Sequence, residues 1–377
     1  MKFETFKAGQ LRQRYQYKSF EPVLINHEWF WEDPVINTLL ESANRALGEL
    51  NAFSLIVPDI DLFIEMHVMK EAQTSSLIEG TQTSIDEALM LEEQINPEKR
   101  DDWREVRNYI SAINAAITAL QELPLSNRLL KQAHAILMQG VRGENKLPGE
   151  FRTSQNWIGG SSLMDAVFIP PQQDNVAELM SDLEKFWHNQ DIAVPHLVRI
   201  AISHYQFETI HPFLDGNGRI GRLLIPLYLM SHGLLVKPSL YLSDFFERNR
   251  SSYYDALMRV RTSNDLIHWV RFFLRGIAET ASKARDIFQQ ILSLRTDVEQ
   301  QIQSLGKRIP NARLVLNLLY RQPKISALDI ENALSVSTPT ANALIRDFKD
   351  LGVLVEKTGQ QRGRTYTFER YLNLFLS

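Results

Sequence analysis

Apolar residues recur at helical spacing over most of this 377-residue chain, and no other feature restricts its fold more. After Asp33-Pro34, the residues Ile36, Leu39, Leu40, Ala43 and Leu47 form the i, i+3, i+4, i+7 stripe of an amphipathic helix. Similar stripes run through 61–77, 85–93, 102–120, 127–138, 176–188 and 195–210. They resume over 217–231, 251–260, 266–273 and 277–304. Leu123-Pro124, Pro170-Pro171 and 306–310 punctuate the pattern as turns or linkers. Two segments read differently. Residues 148–171 are rich in Gly, Ser, Asn and Pro, with β-favouring runs at Trp157-Ile158 and Val167-Phe168-Ile169, which fits a hairpin or flap. Residues 353–368 place two short β-favouring runs around a Gly-containing stretch. With no strand–helix alternation, the expected class is all-α with a small β-hairpin flap.

Composition removes several chemistries. A hydrophobic content of 44% suffices for a large core and argues against disorder. The absence of cysteine excludes disulfides, thiol nucleophiles and cysteine-ligated zinc. The apolar run Leu223–Met230 is far shorter than a membrane span, and residues 1–7 contain no apolar signal segment. No membrane partner is expected, and a cytoplasmic location is the default. The net charge of −4 is uneven: residues 307–377 carry +5, the rest −9. A basic tail on an acidic body hints at different partners for the two parts.

The chemistry concentrates in His211-Pro212-Phe213-Leu214-Asp215-Gly216-Asn217-Gly218-Arg219-Ile220-Gly221-Arg222. Physically this is a helix end, a tight loop and a new helix start. Gly216 and Gly218 allow unusual dihedrals and close backbone approach. The free N–H groups opening the next helix, together with its dipole, favour an anion. Arg219 and Arg222 share a helix face and can grip phosphate oxygens. Asp215 can bind a hard cation such as Mg²⁺, and His211 can take a proton near neutral pH. Gly216-x-Gly218-x-x-Gly221 matches the dinucleotide-binding fingerprint literally, but a helical pattern precedes it where that fold needs a strand.

The stretch resembles the signature of the Fic family, HxFx[D/E]GNGRxxR, at every defined position: His211, Phe213, Asp215, Gly216, Asn217, Gly218, Arg219 and Arg222. The resemblance implies a Fic-type helical core that moves AMP from ATP onto hydroxyl side chains of target proteins. It assigns His211 as general base and Asp215 as the Mg²⁺ ligand. Asn217 with the Gly216 and Gly218 amides would hold the α-phosphate, and Arg219 with Arg222 the outer phosphates. Ser75-Ser76-Leu77-Ile78-Glu79-Gly80 fits [S/T]xxxE[G/N], the family's inhibitory helix. It implies a Glu79–Arg222 ion pair that competes with the γ-phosphate. Residues 149–171 look like the family's flap, with Phe168 and Ile169 lining up the target segment; a structural hairpin with Trp157 in the core is the alternative. Tyr253 and Tyr254 sit where relatives place aromatics against the base, core packing of one of them being the alternative, with Arg248 and Asn249 as polar candidates nearby. Family habit suggests a homodimer.

His204 could share a helix face with His211, but no third ligand at metal spacing accompanies them. The other histidines read as surface or satisfied core residues. Pro226, inside the helix after the motif, is expected to kink it or remove one hydrogen bond. Towards the C-terminus, 312–320, a second helix from Ser326 and a third from Ser337-Thr338-Pro339 precede the 353–368 hairpin. Together they resemble a winged helix-turn-helix. Thr340, Asn342, Arg346 and Lys349 could face a DNA major groove, with Arg362 and Arg364 at the wing tip on phosphate; protein docking is the alternative. The expected organisation is an N-terminal helical region over 1–110, a Fic core over 111–305 and a winged helix over 306–377. Two rival functions use the same features: removal of AMP by hydrolysis, and a DNA-binding regulator that senses nucleotide.

Overall fold

The computed structural model describes residues 1–141, 145–357 and 364–376. A hairpin of β1 (Gly9–Gln13) and β2 (Lys18–Pro22), which the helical pattern does not foresee, precedes α1 (Pro34–Ile56). Asp33 caps α1, accepting from the Val35 and Ile36 N–H groups, and Pro34 takes the first turn, where its missing N–H costs nothing. Then follow α2 (Ile60–Ile78), α3 (Ile85–Ala88), α4 (Arg100–Ala119), α5 (Asn127–Leu137), α6 (Gln173–His188), α7 (His196–Ile210), α8 (Asn217–Ser231), α9 (Ser243–Arg248) and α10 (Arg250–Ser263). The long α11 (Leu266–Ile302) lies along α1. The flap of 148–171 has little regular strand; its two arms meet at an antiparallel bridge between Ile158 and Phe168.

Two expected helices, 266–273 and 277–304, form the single α11, uninterrupted at Gly276. A Cβ there would come within 2.8 Å of the Phe245 ring, so this glycine admits α9 against α11 instead of breaking the helix. Pro226 likewise stays within a continuous α8. The centre of the bundle is α7, buried on every side from Leu197 to Ile210. Several of its polar side chains reach backbone carbonyls: Arg199 donates to those of Asn189 (2.8 Å) and Ile192 (3.1 Å), and Gln206 to that of Val23 (2.9 Å). His204 bridges the Gly221 carbonyl of α8 (2.9 Å) and the Tyr253 hydroxyl of α10 (2.9 Å), so both ring nitrogens are engaged in tying helices together.

The C-terminal unit contains α12 (Ile309–Arg321), β3 (Lys324–Ile325), α13 (Ala327–Leu334), α14 (Thr338–Asp350), β4 (Val355–Glu356), β5 (Tyr366–Thr367) and α15 (Glu369–Leu376). The strands form an antiparallel sheet in the order β3-β5-β4. Gly306, at φ +56°, turns the chain into this unit. The unit packs on α2: Tyr320 meets Phe63 edge-on at 5.0 Å, and Phe375 meets His67 at 5.1 Å. Among the described residues no helix is long and apolar enough to cross a membrane.

Replacing Gly276 by Leu is expected to lower stability by about 1–3 kcal/mol through overpacking on Phe245. Gly48→Ala, at an exposed α1 position with open space around it, is expected to raise it by about 0.5–1 kcal/mol. Urea midpoints of the two variants moving in the same direction would contradict this account.

Candidate functional site

The loop 211–216 joins the end of α7 to the start of α8. His211 ends α7 in the left-handed region (φ +50°), and Gly216 precedes α8 at φ +72°. A non-glycine residue in that region must be held there by its surroundings. Four side chains do so. Asn217 closes the loop on itself: its Oδ1 accepts from the Phe213 N–H, and its Nδ2 donates to the Phe213 carbonyl, both at 2.8 Å. Asn156 donates to the carbonyls of His211 (3.1 Å) and Phe213 (2.8 Å). The buried Arg152 donates to the carbonyls of His211 (3.0 Å), Ser154 (3.1 Å), Ile210 (3.3 Å) and Pro171, so one guanidinium joins the flap to the end of α7. His134 accepts the Gly149 N–H on Nδ1 (2.9 Å). That leaves the proton on Nε2, which donates to the Asp215 carbonyl (3.0 Å), and the ring stacks on Phe213 with centroids 3.9 Å apart.

The first turn of α8 offers an anion site, and a carboxylate already lies in it. Arg222 is 3% exposed. It donates from Nε to Ser75 Oγ (2.8 Å) and from Nη2 to the Ser75 carbonyl (2.9 Å) and Glu79 Oε1 (2.6 Å). A Cβ on Gly218 would stand 2.1 Å from Glu79 Oε1, so the carboxylate rests directly against that glycine. Burial by itself would raise the Glu79 pKa; the charge and hydrogen bond of Arg222, then Arg219 and His211, outweigh it and hold the carboxyl below its usual range. The same pairing keeps the buried Arg222 firmly charged.

The remaining motif residues divide. Arg219 donates to Glu105 Oε2 (3.1 Å), both side chains being buried, and its carbonyl accepts the Tyr109 hydroxyl (2.9 Å). Its guanidinium thus meets α4 through Nη1, and the Asn217 amide is engaged on Phe213. Asp215 accepts from the Gly216 N–H (2.7 Å) and from Lys146 Nζ (2.8 Å). Burial would raise its pKa, but Lys146 and the Gly216 N–H lower it on balance. Among the described residues no cluster of three His, Asp or Glu could hold a metal alone. One hard, ionised carboxylate beside an anion site fits Mg²⁺, which normally shares its shell with substrate phosphates. His211 is partly exposed, with Nδ1 buried and unpartnered. Burial, then the charges of Arg261 and Arg152, push its pKa down to about 3, so the ring is neutral.

Several sequence-based expectations change. Tyr253 is buried, its hydroxyl on His204, whereas Tyr254 is 39% exposed and feels the Glu79 charge after burial, its pKa pushed up to about 12. Arg248 turns to Asp244 (3.1 Å), and Asn249 donates to the Phe245 carbonyl (2.9 Å); neither joins the loop. Phe168 is buried between the Phe20 ring and the Arg261 guanidinium, 3.9 Å above its face, so it anchors the flap. The Ile169 carbonyl accepts the Phe20 N–H (2.9 Å). Trp157, expected in a core under the alternative reading, is 40% exposed, and Met164 and Val167 are more so. Sequence reading missed the roles of Arg152, Asn156, His134 and Arg261. It also missed Arg250, which donates to the Ile78 carbonyl at the end of α2 (2.7 Å). Arg152 and Asn156 lie in the quoted flap, but nothing in their spacing marks them as carbonyl clamps.

Residues 37–118 match the Fic/DOC family N-terminal model and 124–229 the Fic/DOC family model. The chain is a Fic-family protein carrying these two domains in sequence. The protein named protein adenylyltransferase Fic from Drosophila erecta is 30% identical over 246 residues, 64% of this chain and 42% of that protein. Its namesake from Drosophila persimilis is 31% identical over 268 residues, 70% of this chain and 46% of that protein. The chain thus spans less than half the length of these curated relatives. A Fic family protein from Desulfovibrio desulfuricans G20 shares the fold with a TM-score of 0.57 at 22% identity, over 91% of this chain and 98% of its own. Fic-1 from C. elegans gives 0.53 at 19% identity, over 70% and 75%.

Arg152→Met removes a buried guanidinium that donates to four carbonyls, of which that of His211 keeps Asn156, and is expected to cost about 3 kcal/mol in urea unfolding. A second expectation concerns acid. Burial holds His204 at about 3, against 6.5 in the unfolded chain. Between those values the unfolded state binds the extra proton, so stability falls as pH falls. Glu208, pushed up to about 7 by burial, runs the other way. The histidine is therefore isolated by a variant. Between pH 6 and 5 the wild-type loss should exceed that of His204→Gln by about 1 kcal/mol per pH unit. Parallel curves would contradict the buried neutral assignment.

Proposed function

We propose that this chain transfers AMP from ATP to hydroxyl side chains (Ser, Thr or Tyr) of a target protein, and that Glu79 restrains the site. One observation carries the reading: the Glu79 carboxylate sits on Arg222 and against Gly218, inside the anion site at the start of α8. A carboxylate there competes with a phosphate for the same guanidinium. Ser75 holds Arg222 from the same helix face. The names of the relatives support adenylyl transfer.

In the forward reaction the target hydroxyl attacks the α-phosphorus. A P–O bond to the target forms, the bond to the bridging oxygen breaks, pyrophosphate leaves, and the hydroxyl proton passes to the outward-facing Nε2 of His211. His211 is neutral and ready to accept it, and an anionic nucleotide nearby raises its basicity against Arg261 and Arg152. The Gly216 and Gly218 backbone and a released Arg222 hold phosphate charge. Asn217, with Phe213, keeps the loop in shape. Mg²⁺, held by Asp215 once Lys146 moves aside, would neutralise phosphate charge. Tyr254, the exposed member of the tyrosine pair, would meet the base. Exposed Trp157, Met164 and Val167 offer the flap surface a target would meet.

The C-terminal unit is proposed as a winged helix. Helices α12, α13 and α14 with a three-stranded sheet support this, Asn342, Arg346 and Lys349 being exposed on α14. Lys349 and Arg364 both pair with Glu356 (3.3 and 3.4 Å), which reduces the charge available to DNA; Arg362 lies outside the described residues. Protein docking is therefore preferred over DNA for this unit.

Incubation with α-labelled ATP and Mg²⁺, with and without lysate, tests the main reading. Glu79→Gly should raise protein labelling on the order of tenfold or more, equivalent to about 1.4 kcal/mol of restraint removed. The double variant Glu79→Gly/His211→Ala should show none. Labelling that persists without His211, or falls on removing Glu79, would refute it.

A further inference from the structure

The C-terminal end of α2 is held by two arginines, and one of them lies outside the motif. A helix leaves its last carbonyls without partners of its own. At this end the Ser75 carbonyl accepts Arg222 Nη2 (2.9 Å). The Ser76 carbonyl accepts the Glu79 and Thr81 N–H groups (3.0 and 3.2 Å), and the Leu77 carbonyl accepts the Gly80 N–H (3.0 Å). The Ile78 carbonyl is left over. Its partner comes from another helix: Arg250, the first residue of α10, donates to it from Nη2 at 2.7 Å.

Glu79 occupies an awkward place for a carboxylate. It stands just past α2, where the helix dipole presents its negative pole and favours cations. The turn itself gives little packing: Glu79 and Gly80 are exposed, and a Cβ on Gly80 (φ +102°) would meet nothing within 4 Å. The next hydrogen bond to another helix is the Gln82 N–H on Asp102 of α4 (2.8 Å). Arg222 meets the Glu79 oxygen directly, whereas Arg250 meets the carbonyl of the residue before it. The Arg250 side chain is half exposed, and its Nη1 stands 4.0 Å from Glu247 Oε1. Tyr254 follows one turn later on α10. Burial first, then the charge of Glu79, raises its pKa, and Arg222 and Arg250 oppose the rise, so the acid and both arginines lie within electrostatic reach of this ring.

We propose that Arg250 is a positioning residue for Glu79: by holding the Ile78 carbonyl it fixes the end of α2 to α10 and keeps the Glu79 carboxylate on Arg222. The inference rests on the reading of Glu79 as a restraint. Arg250 acts through the backbone of α2 and not on the reacting atoms. The start of α10 thereby becomes part of the restraint, because a shift that draws Arg250 off Ile78 loosens Glu79 and favours the released population.

Arg250→Met, which keeps the aliphatic stem and loses the donors, is tested in two backgrounds of the full chain with α-labelled ATP and Mg²⁺. With Glu79 present it should raise protein labelling about threefold or more; in the Glu79→Gly chain, where no carboxylate is left to position, it should change labelling by less than about 1.5-fold. Non-additivity of this sign separates positioning from a merely structural role, which would lower labelling in both. Hydrogen exchange followed by NMR gives a readout apart from activity. The amides of Glu79, Gly80 and Thr81 bond within the end of α2. They should exchange about threefold or more faster in Arg250→Met than in the wild type. The proposal is overturned if Arg250→Met, folded by its thermal melt, exchanges these amides at the wild-type rate. It is equally overturned if labelling with Glu79 present stays at the wild-type level, rises alike in both backgrounds or falls in both. Should Glu79→Gly itself fail to raise labelling, the restraint reading falls, and the exchange rates alone decide whether Arg250 fixes the end of α2.

Discussion

A loop that must carry His211 at a positive φ between two buried helices sets the terms for much of what surrounds it. The conformation ends α7 and lets α8 begin six residues later with no side-chain cap. Nothing intrinsic to histidine favours it. It persists because Arg152, Asn156, His134 and Asn217 satisfy the loop's backbone carbonyls from four directions. The flap, α5 and the first turn of α8 are therefore tied to one another through the backbone of the site. Polar groups that look dispersed in the chain converge there because buried carbonyls require donors.

The same logic explains how the motif's charges are distributed. Two arginines three residues apart look interchangeable in sequence, yet Arg219 is fixed to Glu105 in the interior, while Arg222 meets a carboxylate that is one-third exposed. An ion pair between two buried partners is a structural tie. The Arg222 pair has one partly solvent-facing member, Glu79, which stands just past the end of α2. Two arginines of one helix face thus sit in different electrostatic surroundings.

Much of the fold was legible because 3.6-residue periodicity reports burial on one face, and α1, α4, α5 and α6 each have such a face. The motif residues and the Ser75–Glu79 pattern were legible because their spacing encodes chemistry. What stayed hidden has identifiable causes. The β1–β2 hairpin is short and owes its place partly to the Phe20 N–H on Ile169. Gly276 reads as a break until Phe245 is seen against it. Phe168 and Ile169 look like a docking edge in sequence, but their partners, Phe20 and Arg261, lie about 90 to 150 residues away in the chain. His134 resembles any core histidine, because its value lies in the tautomer that Gly149 imposes. Long-range partners of this kind have no local signature.

The bare α-carbon of Gly218 carries a consequence of its own. The space a methyl group would fill is taken up by the Glu79 carboxylate oxygen. A side chain at 218 and the Glu79–Arg222 pair therefore exclude one another by volume, and salt, which screens charge, would not relieve that conflict. Residue 218 is in effect a socket with a single seat, and the absence of a side chain there is what allows the seat to exist.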